Sequence, residues 1–188
     1  MMSPVEALAV IVTIAGIALT AQRRVLGWPC SLAASALYLA VFAKARLYAD
    51  SALQIVFCLF LLKGWYDWHR AAQDKAGITV RPIAHTILIR DLALGVATSL
   101  VLGVALRDWT SDAAPMTDAT LSVFSMIGQI WTARRLIACW PLWIAVDCAY
   151  IALFLERTLW LSAGLYAGLT GLAVWGWLTW RKAQISHA

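Results

Sequence analysis

The stretches WPCSLAASALYLAVF at 28–42 and WPLWIAVDCAYIALF at 140–154 lie 112 residues apart and share their Trp-Pro start, Ala33/Ala145, Tyr38/Tyr150, Ala40/Ala152 and a closing Phe. Carried on at the same spacing, Leu47 falls on Leu159, Leu53 on Leu165, and Gly64-Trp65 with Trp68 on Gly176-Trp177 with Trp180. That makes 11 identities in 41 ungapped positions, five of them aromatic. An Ala- and Leu-rich chain gives several matches by chance, but not five aromatic pairs in register. A fixed internal period of this kind marks a duplicated architecture. Arg23-Arg24 and Arg134-Arg135 precede the two copies with an offset of one residue.

The surroundings of the repeat say where it resides. Of the 188 residues, 62% are hydrophobic and 13% charged, against about 45–50% and 25% in soluble domains. Apolar segments recur at 5–21, 25–43, 47–66, 86–106, 118–133, 137–155 and 159–180, most of them long enough to cross a hydrocarbon core as helices that satisfy their own backbone groups. The expected fold is therefore an all-α membrane protein of seven spans. Repeats of three spans each, with the fourth between them restoring direction, insert in the same orientation and give a 3+1+3 order. The division is 1–68 for the first repeat, 69–117 for the loops and linker helix, and 118–188 for the second repeat. Arg23-Arg24 follow the first apolar run instead of preceding it, the reverse of a secretory signal, so that run is expected to stay in the mature protein.

Net charge is +5, but the basic residues sit between apolar segments, where they set topology and do not form a nucleic-acid surface. Arg23, Arg24, Lys63, Arg70, Lys75, Arg81, Arg134, Arg135, Arg181 and Lys182 fall on one side, against Lys44, Arg46, Arg107 and Arg157 on the other. The richer side is expected to be cytoplasmic, which places the N-terminus outside and the C-terminus inside. Arg90 and Asp91 near the cytoplasmic end of the fourth span read as a snorkelling pair. Cys30, Cys58, Cys139 and Cys148 all lie in apolar segments without CxxC spacing and read as packing residues. With no metal, cofactor or nucleophile constellation in the pattern, an enzyme is not expected.

Parallel repeats are one known construction for carriers, with substrate held near mid-membrane where the halves meet. Trp140, Trp143, Asp147 and Tyr150, at i, i+3, i+7 and i+10, form a stripe on one helical face able to line such a cavity. An ionised carboxylate near mid-bilayer costs about 2.5–3.5 kcal/mol on insertion scales and usually marks a pathway or binding site. The equivalent positions of the first repeat are Trp28, Ser31, Ser35 and Tyr38, while Asp50 and Gln54 correspond to Ser162 and Tyr166. A symmetric frame with an asymmetric lining suits a solute with an aromatic or cationic end and a hydrogen-bonding end. Gln129, with Ser122 and Ser125 at helical spacing, adds a polar strip that either sees substrate or bonds between helices. Trp65, Trp68, Trp177 and Trp180 stand beside charges at helix ends and are expected to form an interfacial belt, with Trp109 and Trp160 at the opposite interface.

The sequence resembles the PnuC family of vitamin transporters. The resemblance rests on LYADSALQ at 47–54, GWYDW at 64–68, and Arg134-Arg135 followed by WPLWIAVD at 140–147, which contains the WxxW element. It implies a homotrimer in the bacterial inner membrane, facilitated diffusion of nicotinamide riboside, and trapping of the substrate by a cytoplasmic kinase that need not touch the transporter. Trp140 and Trp143 would be the WxxW aromatics, Gln54 the amide after LYAD, and Asp147 the polar residue four positions beyond the motif. Ala34 stands where members often have Asn, and Asn also occurs at the position of Asp147, which leaves thiamine or another vitamin or nucleoside as the alternative substrate.

Overall fold

The computed structural model describes residues 4–44, 48–74, 77–109 and 114–185, excepting the side chains of 4, 6, 42 and 48–53. Within them the chain forms seven α-helices: α1 Pro4–Ala21, α2 Gly27–Lys44, α3 Tyr48–Gln73, α4 His85–Trp109, α5 Pro115–Ala133, α6 Cys139–Glu156 and α7 Trp160–Ile185. Each apolar segment named above lies on its own helix, and the fourth, sixth and seventh helices are long and apolar enough to cross a bilayer. Prolines stand where a helix tolerates them, at the first turns of α1, α2, α5 and α6, because those N–H groups have no intrahelical acceptor.

The helix ends carry the repeat further than the identities do. Arg23 and Arg135 adopt φ of 59° and 61°, and each ends its helix with the same pair of bonds. Arg24 N donates to Leu19 O and Leu136 N to Trp131 O, both at 2.9 Å, while Arg23 N reaches Thr20 O and Arg135 N reaches Thr132 O. These are Schellman caps, which satisfy carbonyls left over at a helix end. Arg23 therefore matches Arg135 at the 112-residue period, whereas Arg24 falls on Leu136 and Arg134 on Gln22. One turn earlier, Thr20 Oγ1 donates to Gly16 O and Thr132 Oγ1 to Gly128 O, again one period apart.

Six helices close a ring. Helix α1 packs on α2, α2 on α3, α3 on α5, α5 on α6, α6 on α7, and α7 back on α1, while α4 packs on α5 alone among the described residues. Gly95 and Gly103 let α4 approach Phe124, Ile127 and Met116 of α5. Trp131 Nε1 donates to Asp91 Oδ2 at 2.9 Å, and Arg90 pairs with the other carboxylate oxygen at 2.8 Å. Asp91 thus does more than neutralise its neighbour, since it ties α4 to α5. The opposite side of α4 presents Ile89, Leu94 and Val101 outward, a face suited to acyl chains.

The tryptophans correct one expectation. Trp109 and Trp160 are strongly exposed, as befits the interface, and Trp65 is partly so. Trp68 and Trp180 have no exposed surface. They meet Trp28 and Trp140 in a four-ring core with edge contacts of 5.5 Å for Trp28–Trp68 and 5.3 Å for Trp140–Trp180, joined by Trp68–Trp180 at 6.0 Å. Gly64 and Gly176 make room for it, for a methyl at either would overlap the Trp28 or Trp140 ring. Trp68 Nε1 donates to Ala133 O at 3.1 Å and Trp180 Nε1 to Ala21 O at 3.1 Å, a reciprocal exchange between residues one period apart.

Candidate functional site

Inside the ring lies a cavity of about 430 Å³. Its lining follows from the periods of the helices: Thr13, Ile17 and Thr20 descend one face of α1, and Gln54, Phe57 and Leu61 one face of α3. Every lining residue has its counterpart 112 positions away also in the lining, so the wall consists of 11 such pairs. Thr20/Thr132, Trp28/Trp140 and Tyr38/Tyr150 are identical, and Thr13/Ser125, Ala34/Val146, Phe57/Leu169 and Leu61/Ala173 differ in size more than in character. The remaining four pairs are chemically unlike: Ile17/Gln129, Ser31/Trp143, Ser35/Asp147 and Gln54/Tyr166.

Seven expected site residues are brought together here, namely Trp140, Trp143, Asp147, Tyr150, Tyr38, Gln54 and Gln129. Asp50 belongs to α3, but its side chain lies outside the described residues. Ser125 and Gln129 line the cavity and Ser122 does not. Thr13, Thr20, Thr132 and Phe57 were not singled out by the sequence. The period itself could have found Thr20 and Thr132, because they are identical one period apart.

Local bonds fix the aromatic side of the site. Trp143 Nε1 donates to Thr132 Oγ1 at 3.2 Å, and Thr132 Oγ1 in turn donates to Gly128 O at 2.8 Å. Gly128 also lets the Trp143 ring lie close to α5, since a methyl there would stand about 3.1 Å from it. Tyr150 and Tyr166 meet with ring centroids 4.7 Å apart, and Phe154 closes the cluster at 5.2 Å from Tyr166. The indole N–H groups of Trp28 and Trp140 are buried without a partner among the described residues.

Among the described residues Asp147 is the one carboxylic acid of the lining, and no Lys, Arg or His accompanies it there. Its residue is only 6% exposed, and among the described residues no hydrogen bond or ion pair reaches its carboxylate. A buried charge without a partner is costly, and proteins retain one where a ligand or a proton supplies the compensation. Among the described residues the site therefore offers one carboxyl group, six tyrosine or tryptophan side chains, and amides at Gln54 and Gln129.

A ring of apolar helices around an asymmetrically lined chamber of this size is the construction of a multi-pass membrane transporter. Comparison with known proteins gives the same class. The nicotinamide mononucleotide transporter family model matches residues 3–182, and the chain belongs to that family. Among curated relatives, the nicotinamide riboside transporter PnuC of Escherichia coli is 22% identical over 204 residues, covering 95% of this chain and 85% of the relative. The riboflavin/roseoflavin transporter RibM of Streptomyces davaonensis is 25% identical over 169 residues, covering 87% and 78%. A solved crystal structure of the vitamin B3 transporter PnuC superposes with a TM-score of 0.79 at 19% identity, over 98% of this chain and 83% of that one. The resemblance to the PnuC family is thereby borne out, and these relatives are named as transporters, not enzymes.

Proposed function

We propose that this chain carries nicotinamide riboside across a bacterial inner membrane by facilitated diffusion, and that phosphorylation by a cytoplasmic kinase traps the vitamin inside. The observation that carries the reading is the unpaired Asp147 carboxylate in the cavity wall, beside Trp143, Tyr150 and Tyr166. A pyridinium ring supplies the missing positive charge and a flat face for the aromatic rings. The ribose hydroxyls then meet Gln54 and Gln129, which donate and accept. The cavity volume falls within the range of small-molecule sites. The name of the E. coli relative supports this substrate.

The proposed architecture is two parallel three-helix halves, 1–68 and 118–188, with α4 within 69–117 as the linker. The contact of α1 with α7 and that of α5 with α3, one period apart, support it. The arginine-rich turns support a cytoplasmic C-terminus and an external N-terminus. The exposed apolar face of α4 is compatible with a homotrimer in the bilayer. Thiamine is the second reading, because its thiazolium satisfies Asp147 equally well, and the RibM relative, named for riboflavin and roseoflavin, leaves room for a vitamin other than nicotinamide riboside.

Uptake of labelled nicotinamide riboside into proteoliposomes tests the assignment. Saturable uptake that unlabelled nicotinamide riboside competes away supports it, and uptake no greater than into empty vesicles rejects it. A thermal-shift panel with nicotinamide riboside, thiamine, riboflavin and nucleosides ranks the alternatives.

A further inference from the structure

The four-tryptophan core occupies the space between the cavity and the arginine-rich turns. Trp28 and Trp140 line the cavity on one side. On the other, Trp68 and Trp180 reach the last carbonyls of α5 and α1, two residues before the left-handed caps at Arg135 and Arg23. The connection between α3 and α4 lies against the same layer, with Ile78, Val80 and Ile83 packed on it. That connection is itself pinned, since Arg81 N donates to Arg135 O and Ile137 N to Arg81 O, at 2.9 and 3.0 Å.

We infer that Trp68 and Trp180 are the latch that closes the pathway on the arginine-rich side, and that their indole hydrogen bonds must break each time the cavity opens there. Three features point this way. The bonds are exchanged: α3 holds α5, and α7 holds α1, so separating α1 from α7 and α5 from α3 breaks both at once. The rings form a continuous chain, edge to face for Trp28–Trp68 and Trp140–Trp180 and tilted for Trp68–Trp180, and all four are buried, so they pack the layer between cavity and turns. Among the described residues the Trp28 and Trp140 indole N–H groups have no partner, so opening costs the inner pair no hydrogen bond. Two interdigitated pairs of this sort give discrete arrangements and not a continuous deformation, which is what a gate requires.

The inference rests on the carrier reading, but its test needs no substrate, so an error in the assigned vitamin leaves it standing. Cys139, fully buried at the start of α6 beside Trp140, is the reporter. In a C30A/C58A/C148A background in lipid nanodiscs, a small membrane-impermeant methanethiosulfonate reagent modifies Cys139 only when the latch opens. W68F/W180F retains aromatic rings and deletes the two donors. Labelling is expected to accelerate about tenfold, equivalent to about 1.4 kcal/mol, as loss of buried hydrogen bonds raises the open population. W28F/W140F trims the rings equally but breaks no hydrogen bond, and its acceleration is expected to stay under about threefold. Equal acceleration by both double variants, or none by W68F/W180F, overturns the latch. Should W68F/W180F not fold, W68F and W180F taken singly are each expected to give about threefold, and wild-type labelling rates in both overturn it as well.

Discussion

Replacing Asp147 by Asn keeps the size and the hydrogen-bonding capacity of the side chain and removes its charge. A ligand cation about 4 Å from the carboxylate, at an effective dielectric near 20, gains about 4 kcal/mol. Desolvation of both charges takes back roughly half of that, leaving about 2 kcal/mol, or a ~30-fold rise in Kd. The ligand-free protein should respond in the opposite direction. Its buried carboxylate has no partner among the described residues, so neutralising it removes a penalty on the order of 1 kcal/mol and raises Tm by about 2–4 °C. Isothermal titration calorimetry in detergent measures the first effect and thermal unfolding the second. The uncharged dihydro form of nicotinamide riboside provides the control, with a change under about threefold expected, because it never drew on the Coulomb energy. Equal losses for the charged and uncharged ligands, or a D147N protein that is both less stable and fully able to bind the cation, would refute the role given to this carboxylate.

Other positions separate packing from binding. G64A and G176A force a methyl into the Trp28 and Trp140 rings and should each cost about 1–3 kcal/mol of stability, read as a fall in Tm without ligand. T132V leaves Trp143 Nε1 without its acceptor and should weaken ligand binding by about 3–10-fold through a misplaced ring, with a smaller change in Tm. W131F breaks the bond to Asp91 that ties α4 to α5. It should cost about 1–2 kcal/mol of stability while titration calorimetry shows an unchanged Kd, since neither residue lines the cavity.

Much of this was legible because the chain repeats itself. Seven apolar segments located seven helices, and a period of 112 residues on residues such as Trp28 and Tyr38 anticipated which positions stand opposite one another. The stripe of α6 was readable for a physical reason: four polar or aromatic residues at helical spacing in an apolar segment must share a face. Trp68 and Trp180 were misread because hydropathy sees only neighbours in sequence. Asp67 and Arg181 beside them suggest an interface, whereas their burial depends on α3 and α7 converging from distant parts of the chain. Gly64 and Gly176 held the missing clue, since a glycine four residues before a tryptophan, repeated one period later, leaves room for another ring. Thr132 was hidden for a different reason. A threonine that bonds its own helix resembles packing until the tryptophan that donates to it is seen. Asp91 was read as a partner for the adjacent Arg90, and its bond to Trp131, 40 residues away, leaves no trace in local sequence.

A structure of the protein with nicotinamide riboside bound bears most directly on the central idea, that a single cavity between matched helices holds the substrate by one uncompensated charge. The expected density places the pyridinium ring against Trp143 and within about 4 Å of the Asp147 carboxylate, with the ribose toward Gln54 and Gln129. Density for the vitamin outside this chamber, or a pyridinium turned away from Asp147 toward the first-half serines, would contradict it.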